Sequence, residues 1–119
     1  MIESIDLNVL RKFTETDEVM LTYFLESLFS KLQSDIEKLA TELVFNGGVD
    51  VAMLAHGIRS SALTMGAKQL AAISAEMENA SAHQLPVNNA LLLSQMENCM
   101  VQIEKDVASQ SFAYRPQAC

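Results

Sequence analysis

The stretch that decides the fold is His56-Gly57-Ile58-Arg59-Ser60-Ser61-Ala62-Leu63-Thr64-Met65-Gly66-Ala67, which sets one nucleophilic side chain inside an apolar pattern of helical period. At 3.6 residues per turn, Val51, Ala55, Ile58, Ala62 and Met65 fall on one face and can line a core. His56 is rotated off that face. Arg59 and Ser60, three and four residues further on, bring a guanidinium and a hydroxyl beside the imidazole on the outer surface. Taken singly, a helical His is most often a plain surface residue and Arg59 a solvated charge, so the weight rests on their combination.

Outward from this stretch, the chain reads as helices and turns. Leu7, Leu10 and Phe13 predict a short helix over residues 6 to 14. Thr14 or Thr16 then offers an N-cap for a second helix, with Glu15, Asp17 and Glu18 favouring its positive end. Without Pro or Gly up to Leu43, the repeat Met20, Phe24, Leu28, Leu32, Ile36, Leu39 and Leu43 predicts a long amphipathic helix, with Glu26, Lys31, Asp35, Glu37 and Lys38 on its other faces. Phe45-Asn46-Gly47-Gly48-Val49 ends it, and Asp50 is placed to cap the helix that carries His56.

Gly66 falls where that helix must turn or break, and Ala67, Leu70, Ile73, Met77 and Ala80 mark the next apolar stripe. Residues 81 to 86 read as a linker closed by Pro86. A last helix is expected over residues 87 to about 109, burying Leu91, Leu92, Met96, Cys99, Met100, Ile103 and Val107. The fold class is therefore all-α: an antiparallel up-and-down four-helix bundle with a short additional N-terminal helix as a lid. Residues 1–119 form one domain, with fraying expected at 1–5 and 111–119.

Composition narrows the function. A net charge of −7 lacks the basic stripe that nucleic acid requires. Cys99 and Cys119 are too few for a disulfide framework and have no metal-ligand spacing to a histidine. No apolar run reaches the roughly 18 residues of a membrane span, and the acidic N-terminus is unlike a secretory leader. The expectation is a cytoplasmic protein with no membrane insertion by this chain, working as a monomer. There is no Gly-rich phosphate loop to cradle ATP, no Glu-x-x-His pair for a di-iron bundle, and no catalytic triad, so no autokinase activity is expected.

The segment Ala55-His56-Gly57-Ile58-Arg59-Ser60-Ser61-Ala62, followed by Gly66-Ala67 and by Leu70, Ile73 and Met77-Glu78, resembles the histidine-containing phosphotransfer domain of bacterial multistep phosphorelays. The family form is Ala-His, any residue, Leu or Ile, Lys or Arg, a small residue, Ser, Ser or Ala, three variable positions, then Gly-Ala. Two departures are mild: Ser60 stands where Gly is commonest, and Arg59 where Lys is, keeping the charge with a different shape. The resemblance implies that His56 accepts a phosphoryl group from a receiver-domain aspartyl phosphate and passes it to another response regulator. The implied partners are response-regulator receiver domains and a hybrid sensor histidine kinase.

Arg59, one turn from His56, is placed to stabilise phosphate through charge-assisted hydrogen bonds, and the resemblance implies that Glu78 binds the second imidazole nitrogen and orients the ring. Ala52, Met53, Ser60 and Leu63 are the candidate docking contacts around His56. No cofactor of its own is expected, since Mg²⁺ would come with the receiver. The rival reading is a non-phosphorylated helical interaction module that docks receiver or kinase domains, whose binding would survive His56→Gln.

Overall fold

Short polar side chains cap three of the helix starts, and one glycine closes a helix at a turn. A computed structural model describes residues 4–14, 17–45 and 50–114. Their elements are α1 (Leu7–Thr14), α2 (Glu18–Phe45), α3 (Val51–Met65), α4 (Lys68–Ala82) and α5 (Asn89–Tyr114), all helical. Asp6 caps α1 by accepting the Asn8 N–H, and Asn88 caps α5 by accepting the Leu91 N–H. The cap of α2 is Asp17, whose Oδ1 accepts the N–H groups of Val19 and Met20. This corrects the expected threonine cap: Thr14 belongs to α1, and Thr16 lies outside the described residues.

Asp50 stands at the N-cap position of α3 but its side chain caps nothing. Its backbone N–H instead donates to Oε1 of the buried Glu42 at 3.0 Å, tying the end of α2 to the start of α3. The expected glycine break at 46–49, the Phe13 side chain and Cys119 lie outside the described residues. The last helix starts at Asn89 rather than 87, because the Asn88 side chain is the cap and Pro86 remains in the linker. It continues past 109 to Tyr114.

In the bundle, α2 packs on α3, α3 on α4, α4 on α5 and α5 on α2, a closed ring of neighbours with α1 against α2 and α3. Helices α2 and α5 are far longer than α3 and α4, so they project beyond the α3–α4 turn, where α1 sits. There the Ser4 N–H and hydroxyl both donate to the Asp106 carboxylate of α5, and Ile5 is buried. The five residues of the decisive stripe, Val51, Ala55, Ile58, Ala62 and Met65, are all buried.

On α2 the expected stripe holds for Leu32, Ile36 and Leu39, with Phe24, Leu28 and Leu43 half-buried against the core, whereas Met20 is exposed and Leu21 and Leu25 are the buried residues of the first half. The buried face there is shifted by one position towards Leu21 and Leu25. On α5, Leu92, Met96, Cys99, Ile103 and Val107 are buried, while Leu91 is exposed. Burial also pushes the Cys99 thiol above its ordinary pKa, so it packs as a small apolar residue.

The α3–α4 turn explains the Gly-Ala pair. Gly66 has φ 74°, its N–H donates to the Leu63 carbonyl, and the Ala67 N–H donates to the Ala62 carbonyl, a Schellman closure. The Asp6 backbone lies directly on this turn, with its N–H donating to the Met65 carbonyl. A Cβ on Gly66 would meet the Asp6 Cβ at 2.5 Å and its backbone N at 2.7 Å. Gly66→Ala is therefore expected to destabilise the fold by at least ~2 kcal/mol, combining left-handed strain with a backbone clash, as read by urea unfolding. An unchanged midpoint would show that α1 does not dock on the turn.

Candidate functional site

With its five-residue stripe packed inward, α3 presents His56, Met53, Ser60 and Leu63 on its solvent face, all exposed, with Ala52 half-buried beside them. The structure thus brings the expected docking residues together around the imidazole. The His56 side chain is 57% exposed and Glu78, reaching across from α4, is 25% exposed. His56 Nδ1 lies 2.8 Å from Glu78 Oε2. An ionised carboxylate only accepts, so this contact requires a proton on Nδ1. In the neutral ring the lone pair is then on Nε2, the nitrogen left free of Glu78.

Arg59 differs from its expected place on the open surface: it leans towards α4. Its Nε is 3.1 Å from Glu78 Oε1, close enough for an ion pair, although the N–H is not aligned to donate a hydrogen bond. Its Nη2 is 3.4 Å from His56 Nδ1. Arg59 cannot donate to a nitrogen that already carries a proton, so the shorter Glu78 contact takes Nδ1 and Arg59 rests against the carboxylate. Glu78 therefore holds the imidazole and the guanidinium side by side. The pair is partly exposed and worth ~1 kcal/mol or less to folding, so its role is geometric.

Two residues beside the site went unassigned at the sequence level. Asp35 of α2 approaches the backbone next to His56: a Cβ on Gly57 would lie 3.7 Å from Asp35 Oδ2. The same oxygen accepts from Lys31 Nζ at 2.7 Å. The i,i+4 spacing of this pair was visible, but its placement beside α3 depends on the rotation of α2. His83, at the end of α4, is exposed, with Nδ1 3.0 Å from the Asn79 carbonyl, and takes no part in the cluster.

The sequence pattern of the Hpt domain matches residues 20–110. The chain belongs to the Hpt family. The match spans most of the bundle and includes His56, Arg59 and Glu78. The fold of this Hpt domain is also that of histidine-containing phosphotransfer protein B (HptB) from Pseudomonas aeruginosa PAO1, at 20% identity and a TM-score of 0.86, covering 97% of this chain and 100% of that one. No curated protein sequence matches the chain. Family membership gives this domain a histidine phosphotransfer role in phosphorelays, the systems that link sensor kinases to receiver domains. No helix among the described residues is long and apolar enough to cross a membrane.

The Glu78 contact makes a spectroscopic prediction. In the neutral ring, His56 is expected as the Nδ1–H tautomer, and Glu78→Ala should shift it towards the Nε2–H form that predominates in free imidazole side chains. Long-range ¹H–¹⁵N spectra of the ring report this directly. The same tautomer ratio in both proteins would remove Glu78 as the orienting group.

Proposed function

We propose that this Hpt domain carries a phosphoryl group on His56 Nε2, between the aspartyl phosphate of one receiver domain and the aspartate of another. The observation that supports this most is the 2.8 Å Nδ1–Glu78 contact on an otherwise exposed ring, which leaves the nucleophilic lone pair facing outward. In the transfer, the Nε2 lone pair attacks phosphorus and forms the P–N bond. The P–O bond breaks with its electron pair going to the receiver's aspartate, which leaves as a carboxylate. The ring keeps its Nδ1 proton and gains positive charge, which Glu78 beside that proton stabilises.

Phosphoryl transfer depends on positioning and on neutralising charge spread over three oxygens. Arg59, one turn from His56 and next to Glu78, is the cation for those oxygens, reached by a side-chain rotation away from the carboxylate. Mg²⁺ enters with the receiver, which supplies the acidic pocket. Met53 and Leu63 offer apolar contact around the ring, Ala52 borders them, and the small Ser60 leaves clearance for approach. The reverse step returns the phosphoryl group to a second receiver by the same geometry. The upstream donor fits the receiver domain of a hybrid sensor histidine kinase.

His56→Gln is expected to abolish acid-labile, alkali-stable phosphate on the chain after incubation with a phosphorylated receiver, while leaving the helical circular dichroism unchanged. Persistent label on that variant would contradict the assignment, and binding without transfer in the wild-type chain would favour the interaction module. Arg59→Ala is expected to slow transfer by about 10- to 100-fold, in line with losing one charge-assisted contact worth roughly 1.5–3 kcal/mol. Its unfolding midpoint should move far less. Equal transfer rates would take Arg59 out of the mechanism.

A further inference from the structure

The chain carries a net charge of −7, and the exposed Glu37 and Asp50 lie with Lys38 beside Met53, yet the ion pairs on either side of His56 each hold a cation. On the α4 side of α3, Arg59 is 36% exposed and its partner Glu78 only 25%. On the α2 side, the contrast is stronger: Lys31 is 57% exposed and Asp35 13%. In both pairs the carboxylate is the less exposed member, but only Lys31 stands clearly outward, since Arg59 leans on Glu78 with its Nε buried. On the α2 side, a partner approaching this face meets the Lys31 ammonium before the Asp35 carboxylate.

The position of Lys31 along the face follows from two cross-links between α2 and α3. Glu42 bonds the Asp50 backbone, and Asp35 lies against Gly57, so seven residues back along α2 correspond to seven forward along α3. Lys31, one turn before Asp35, is therefore level with Ser60 and Ser61, one turn beyond His56. Its ammonium pairs at 2.7 Å with the Asp35 carboxylate, which lies 3.7 Å from where a Cβ on Gly57, next to His56, would sit. Gly57 and Arg59 point to opposite sides of α3, so the two cations bracket the imidazole.

We propose that Lys31, the exposed member of its pair with Asp35 on the α2 rim, is a second electrostatic contact for the phosphorylated receiver domain and sets how fast that acidic partner docks. The proposal rests on His56 being the phosphoryl acceptor. Its argument is charge complementarity: an aspartyl phosphate in an acidic, Mg²⁺-binding pocket is repelled by the chain as a whole and attracted by the Lys31 and Arg59 cations that flank His56. Rim charges of this kind act on association rate and salt dependence rather than on the chemical step. Lys31 is thus a positioning residue, and its effect belongs in the second-order rate constant.

The test uses the receiver domain, phosphorylated with acetyl phosphate, that transfers fastest to the wild-type full chain. At low ionic strength Lys31→Gln should lower the second-order transfer rate by about three- to tenfold, leaving the rate at saturating receiver within twofold. The deficit should close by 1 M salt, where the Debye length is ~3 Å, and Lys31→Arg should restore the rate. Asp35→Asn, which removes the recessed negative charge, should raise the low-salt rate. Lys105→Gln, on α5 across the bundle, should match the wild type. A wild-type rate for Lys31→Gln at low salt, or equal slowing by Lys31→Gln and Asp35→Asn, overturns the steering role. A wild-type chain that accepts phosphate from no receiver overturns the His56 assignment itself, a distinct result.

Discussion

The rotation of α3 about its own axis is the constraint on which the site depends. Burial of Ile58 and Met65 alone contributes roughly 3–6 kcal/mol, and Val51, Ala55 and Ala62 complete the apolar stripe, with only the small Ser61 buried beside it. The exposed and half-exposed ion pairs nearby are each worth ~1 kcal/mol or less, too little to turn the helix against that packing. Once the stripe faces inward, helical geometry fixes every other direction. His56 and Ser60 look to solvent, Arg59 leans to α4, and Gly57 meets α2.

The neighbouring helices then supply what α3 lacks. Helix α4 contributes Glu78, which fixes the ring nitrogen that carries the proton and gathers Arg59 beside it. Helix α2 contributes the Lys31–Asp35 pair on the opposite rim. Keeping α4 in register requires the tight turn at Gly66, clamped by the Asp6 backbone, and α1 is the element that brings Asp6 there. The short N-terminal helix thus acts at a distance, by holding the turn that places Glu78 opposite His56.

Much of this was legible in the sequence, and the misses share a cause. The α3 stripe was readable because both sides of α3 pack along its whole length, so its apolar period is unbroken. On α2 the buried position shifts by one at its first half, where adjacent residues such as Met20 and Leu21 are equally apolar and periodicity cannot choose between them. The caps failed where several candidates adjoined: Asp17 was noted for its charge, although its carboxylate is the acceptor. At the site, His56, Arg59 and Glu78 were found together from the motif, whereas Lys31 and Asp35 are separated from it by more than twenty residues and carry no periodic mark. Only the antiparallel register of α2 on α3 brings them beside the imidazole.

The central claim is that a recessed carboxylate on one nitrogen of an exposed imidazole directs phosphoryl transfer to the other. It is tested most directly by ³¹P–¹⁵N correlation spectroscopy on ¹⁵N-labelled chain after transfer from a phosphorylated receiver. The account predicts coupling of phosphorus to His56 Nε2, with Nδ1 still protonated. Coupling to Nδ1, or phosphate on His83 or on a carboxylate with His56 unmodified, would contradict it.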